Sequence, residues 1–135
     1  MGMDNSIERY KGKYKNADEV WEKHSADTYV DEPCCWRKAY WLNHWFCKNV
    51  KGEFGADGEM VILTKEEVEN FLLYCKDIKY KLENDLDTKI EEYDWYFGIT
   101  KESHIEEIEE AINQIENLLI NADFENYTYV YNVSY

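Results

Sequence analysis

The chain is poor in the residues that punctuate structure. It has one proline, Pro33, and six glycines among 135 residues. No apolar run is long enough to cross a bilayer, and no signal-peptide core is present, so the expectation is a soluble protein of the cytoplasm. Cations are scarce too: 15 Lys and Arg stand against 29 Asp and Glu, for a formal net charge of −14. Such a surface repels nucleic-acid and membrane phosphates and attracts basic partners. No C-x-x-C pair occurs among Cys34, Cys35, Cys47 and Cys75. His44 and Cys47, three apart, are the nearest approach to a ligand pair, and structural zinc sites show tighter ones. Reduced thiols acting as small apolar groups are expected, with no metal and no cofactor. The glycines of "GEFGADG" lack the order of a phosphate-binding loop. No nucleophile–base spacing stands out around His24, His44 or His104, so an enzyme is not expected.

Aromatics are abundant: twelve Tyr, five Trp and five Phe. With 44% hydrophobic residues they supply a core for one domain and argue against disorder. The charge is lopsided. Residues 1–50 hold eight Lys and Arg and eight Asp and Glu, whereas residues 51–135 hold seven Lys and 21 acids. The whole negative excess lies in the second part.

Residues 1–32 read as an N-terminal helical arm, set apart from a domain over 33–135 by Pro33. Asp4 or Ser6 would cap a first short helix carrying Ile7, Tyr10 and Tyr14. Asn16 would cap a second, anchored by Val20 and Trp21. From Cys34 to Val50 neither glycine nor proline intervenes, and a single helix is expected. Its core arc would hold Trp36, Leu42 and Phe46. The opposite arc collects Arg37, Lys38, Trp41, Trp45 and Lys48, a basic and aromatic flank inside an acidic protein.

Glu59–Leu63 reads as a strand. Thr64 and Glu67 have capping-box spacing and open a helix with Val68, Phe71, Leu72, Cys75, Ile78 and Leu82 on one face. Asp94–Gly98 is a further strand candidate. Ser103 and Glu106 repeat the capping-box spacing before a helix striped by Ile105, Ile108, Ile112, Ile115 and Leu119. Its outer face carries Glu102, Glu106, Glu109, Glu110 and Glu116. The ending "YTYVYNVSY" alternates over nine residues, as a strand does. The whole reads as an α+β domain, a small, mostly antiparallel sheet packed against three main helices.

"WRKA" at Trp36–Ala39, then Leu42, "WF" at Trp45–Phe46 and Asn49–Val50 resembles the leading helix of a family of small, uncharacterised proteins encoded by bacteriophages and prophages. The resemblance runs over roughly residues 34–135 by element order, with "WYFG" (Trp95–Gly98) and "YNVSY" (Tyr131–Tyr135) in the places of the family's aromatic segment and last strand. After Gly98, "ESHIEE" departs from the aromatic, acidic stretch that the family pattern leads one to expect. The resemblance implies a phage accessory role in the bacterial host cell and no catalytic residues.

Three classes of function remain open. In the first, an acidic inhibitor binds a host protein, plausibly a nucleic-acid-dependent defence factor in the manner of DNA-mimicking anti-CRISPR proteins. Glu102, Glu106, Glu109, Glu110 and Glu116 would then occupy a basic groove, with no direct contact to nucleic acid or membrane. The plainer reading of that row is a solvated helix face. In the second, Arg37, Lys38, Trp41, Trp45 and Lys48 clamp a nucleotide or similar small ligand, the plainer reading being core packing and a structural ion pair. In the third, the tyrosine-rich last strand adds to a partner's sheet edge or builds a homo-oligomer.

Overall fold

A computed structural model describes residues 3–37, 39–56, 58–86 and 101–134. The Asp94–Gly98 strand candidate, Lys38 and Tyr135 lie outside the described residues. In chain order the elements are β1 (Asp4–Lys11), α1 (Ala17–Lys23), β2 (Tyr29–Arg37), α2 (Tyr40–Asn49), β3 (Met60–Leu63), α3 (Lys65–Glu83), α4 (Lys101–Asn121) and β4 (Tyr127–Ser134). The strands form one antiparallel sheet in the order β2-β1-β4-β3. This is the α+β architecture the sequence indicates.

The sheet has two unequal covers. Ile7, Tyr129, Tyr131 and Val133 point to the side where α2, α3 and α4 pack, and the main core fills that space. Tyr10, Val130 and Met60 point the other way, onto Ala17 and Val20 of α1, in a smaller second cluster. Strand alternation divides the side chains between the two faces. The centre of β4 is buried on both, which is why Thr128 and Val130 are as hidden as Tyr129 and Tyr131.

Three expectations are corrected here. The first concerns residues 4–11, which form a strand hydrogen-bonded between β2 and β4 rather than a helix in a separate arm. The helix capped by Asn16 does form, with the Asn16 side chain accepting from Glu19 N at 2.8 Å. The buried amide of Asn5 explains how a polar strand sits at the centre of the sheet. Asn5 Nδ2 donates to Tyr131 Oη at 2.6 Å, and Tyr131 Oη donates to Asn43 Oδ1 at 2.8 Å, tying β1, β4 and α2 together. Burying polar groups is tolerable when they find each other, and the one part of this amide that does not is Asn5 Oδ1, which is buried without a partner.

The second correction is to the helix expected over 34–50. Residues up to Arg37 belong to β2, with Cys34 and Trp36 buried by alternation, and the helix starts at Tyr40. Pro33 lies within β2 and divides nothing. It is tolerated because β2 is an edge strand, where a residue with no N–H to give costs no ladder bond.

The third is the assembly reading. β4 is flanked on both sides by other strands, so it has no edge to offer a partner's sheet. The outer strands are themselves blunted. Gln114 of α4 accepts from Cys35 N at 3.0 Å and donates to Cys35 O at 3.4 Å, so its amide pairs with β2 much as a strand would. On the other edge, Gly55 N donates to Met60 O at 2.7 Å.

The capping box at Thr64 and Glu67 is present with both of its bonds. Glu67 is buried, and its second oxygen accepts from Lys51 N at 2.6 Å, so one carboxylate holds the start of α3 and the loop after α2. Glu67→Ala should therefore cost about 2 kcal/mol, because it strands two backbone donors at once. Urea unfolding of Glu67→Ala beside Glu67→Gln would check this, with the glutamine variant expected to lose clearly less. α4 begins at Lys101, which puts Ser103 inside its first turn rather than at the N-cap.

Candidate functional site: an acidic surface from α4 to the open sheet face

α4 packs beside α3, and its acid row divides into parts with different fates. Glu109 lies 3.5 Å from Lys79 Nζ and Glu116 lies 3.7 Å from Lys76 Nζ, so these two are spent on the helix–helix seam. Each such exposed pair contributes only about 0.2–1 kcal/mol. Glu110 Oε1 accepts from Gln114 Nε2 at 3.3 Å, beside the β2 edge. Glu102 and Glu106 are exposed and pair with no cation among the described residues. Glu107 is half-buried and accepts from Trp41 Nε1 at 2.9 Å. Burial raises the pKa of Glu107 above the usual carboxylate range, partly opposed by that indole bond.

The alternative ligand clamp does not assemble. Trp41 is 0% exposed and Trp45 is 9% exposed, so neither presents a face for stacking on a ligand. α2 is covered on two sides. Phe46 stacks on Tyr131 of the sheet at 4.3 Å, while Trp41 and Trp45 pack on Phe71 of α3 at 6.1 and 5.1 Å. The arc expected to meet solvent meets α3 instead. Arg37 and Lys48 are exposed, but they have no aromatic platform between them.

A different concavity was not anticipated. α1 covers the sheet's outer face at the Tyr10, Met60 and Val130 end only. The other end holds a cavity of about 480 Å³ lined by polar groups, among them Ser6, Glu8, Glu32, Cys35, Arg37 and Asn132. Asp4 joins them at its rim. Glu8 is held in place: Asn132 Nδ2 donates to its Oε1 at 2.6 Å and Tyr10 Oη donates to its Oε2 at 3.1 Å. Cys35 links this hollow to α4. Its thiol is pushed up to about 11, first by burial, then by a hydrogen bond to Glu32 and by the charges of Glu32, Asp4 and Glu110. At neutral pH it is a thiol and a poor nucleophile. Cys34, Cys47 and Cys75 are also raised by burial, and all four cysteines are free.

A second hollow, of about 460 Å³, lies between β1 and the C-terminal half of α4. Its one cation, Arg9, is already committed to Asp31 through two bonds of 3.1 and 2.6 Å. Among the described residues no three His, Cys, Asp or Glu side chains cluster as metal ligands, and no helix is long and apolar enough to cross a membrane.

Compared with family models, curated proteins and solved structures, the chain matches none of them. The site therefore stands on its own geometry. Glu102, Glu106 and Glu110 are exposed along α4, Glu110 acts on the Cys35 thiol together with Glu32 and Asp4, and Asp4, Glu8 and Glu32 line the hollow on the outer sheet face with Arg37 among them. Sequence reading found the α4 row from its helical spacing. It missed Asp4, Glu8 and Glu32, because it took residues 4–11 for a helix and 29–32 for the end of an arm. The one signal available was the alternation of Asn5 and Ile7 with Ser6 and Glu8.

Proposed function

We propose that this chain is a non-enzymatic binding protein that engages a partner protein through a basic surface on that partner. The observation that carries this is the acidic strip itself, in which Glu102 and Glu106 stand exposed without a cation partner among the described residues in a chain of net charge −14. Charge of one sign on a continuous face steers an oppositely charged partner and disfavours nucleic acid. The setting is a phage accessory inhibitor acting inside a bacterial host, on a defence protein whose basic groove normally holds nucleic acid. The similarity of Trp36–Ala39 and Trp45–Phe46 to the phage family supports that setting.

The test is charge reversal. Glu102→Lys with Glu106→Lys leaves the Lys76 and Lys79 pairs in place, so the helix seam is kept. The double variant should bind the partner captured by the wild-type chain from bacterial lysate about tenfold more weakly or worse. Wild-type affinity should also fall steeply as salt rises. Undiminished binding by the double variant, with no salt dependence, would remove the proposal's basis.

A further inference from the structure

We infer that the outer face of the α3–α4 pair receives an amphipathic basic helix of the partner, laid along the seam with its apolar stripe inward and its lysines and arginines over an acidic rim. This rests on the binding role just proposed and names the form that the partner's basic surface takes.

Six large hydrophobic side chains are exposed among the described residues, and three of them meet on this one face. Leu73 is 64% exposed, Tyr80 60% and Ile120 77%. Leu73 and Tyr80 are two turns apart on α3, about 10 Å, on the side turned away from the buried Phe71, Cys75 and Ile78. Ile120 joins them across the seam. Lys76 reaches Glu116 and Lys79 reaches Glu109, so the two helices run antiparallel. Leu73, three residues before Lys76, and Ile120, four after Glu116, then lie side by side one turn beyond that pair. Hydrophobics scattered singly over a surface need no explanation, whereas a contiguous group rimmed by charge marks a place for a partner.

The charges choose the occupant. The two lysines at the seam are already matched by Glu116 and Glu109. Glu69 on α3, and Glu102 and Glu106 on α4, are exposed around the apolar centre and pair with no cation among the described residues. A second copy of this chain would bring its own acids against these, and a nucleic acid its phosphates, so both are disfavoured. A helix laid into a groove anchors itself through side chains at i, i+3 or i+4, and i+7, the spacing that also separates Leu73 from Tyr80. Cations flanking such a stripe fall over the glutamates on either side.

The probe is a leucine–lysine peptide about 18 residues long, patterned as an amphipathic helix, beside a scrambled peptide of the same composition. Each is titrated into the full chain at about 150 mM salt and followed by backbone amide shifts and calorimetry. The expected result is shifts along the outer sides of α3 and α4, centred on Leu73, Tyr80 and Ile120, with the scrambled peptide about tenfold weaker. Leu73→Gln with Ile120→Gln should weaken the patterned peptide about tenfold as well. Both sites are exposed and glutamine is a good helix former, so the fold is kept. Equal binding of the two peptides, indifferent to that double substitution, would overturn the docking face and leave the binding role standing. A dimer of the chain alone in sedimentation equilibrium, dispersed by the same substitutions, would overturn it in favour of a second copy. No binding of either peptide anywhere on the chain would overturn both the face and the binding role.

Discussion

Phe71→Ala is expected to cost about 4 kcal/mol of folding stability, a large part of what a domain this size possesses. Phe71 is fully buried on α3 and is the hub of the aromatic core. Its ring lies 4.7 Å from Phe46, 5.1 Å from Trp45, 6.1 Å from Trp41, 6.2 Å from Trp36 and 6.4 Å from Tyr74. These partners come from β2, α2 and α3, so one deletion loosens three elements together. Aromatic pairs at such separations add about 0.5–1.5 kcal/mol each beyond buried area, and the hole left behind cannot collapse around rigid indoles. Urea unfolding should show a lower midpoint with an unchanged slope. A loss below about 1 kcal/mol would mean that the cluster is not the keystone of the core.

The second large effect is a loss of stability in mild acid that originates in one side chain. His104 is fully buried on α4 with its ring edge-to-face against Trp41 at 5.6 Å, and burial lowers its pKa to about 4. In the unfolded chain a histidine titrates near ~6.5. Above that value it is neutral in both states and contributes nothing to the pH dependence. As pH falls from ~6.5 towards 4, the unfolded chain takes up a proton that the folded chain refuses, so stability drops across that window. Glu107, one turn away, works in the opposite direction. Its raised pKa means that the folded state gains a proton more readily as pH falls through the carboxylate range. Comparison with His104→Leu isolates the histidine. Between about pH 7 and pH 4.5 the unaltered chain should lose about 2 kcal/mol more than His104→Leu. Equal losses would show that His104 takes up its proton in the fold without penalty.

These two residues also show what the sequence disclosed and what it hid. Phe71 was placed on a core face by spacing alone, because α3 buries one stripe and its capping box marks the start. β4 was equally plain, since nine residues alternate without a break. α2 was misjudged because it is covered by the sheet on one side and by α3 on the other. A helix buried on two sides shows no clean polar face, and its tryptophans looked available when they were not. β1 was hidden for a related reason. Near its start it buries a polar residue, Asn5, whose amide nitrogen bonds Tyr131 from the far end of the chain, and no local pattern reports a bond across 126 positions. The binding surface divides along the same line. The glutamates of α4 follow one helix and are visible by spacing. Those of the outer sheet face come together only when β1, β2 and β4 pair.

The pairing of β1 with β4 also has a kinetic side. Asp4 sits opposite Ser134 and Lys11 opposite Tyr127, so the middle of the sheet joins two of the described strands that lie more than a hundred residues apart. During synthesis β1 must wait while the intervening chain emerges, with its hydrogen-bonding edge towards β4 unfilled. Contacts so distant along the chain raise the entropy cost of the folding barrier, and a protein built around them folds slowly for its size. Until β4 arrives, β1 and β3 have no shared neighbour, and the nascent molecule depends on its helices to keep an incomplete sheet from pairing with a stranger.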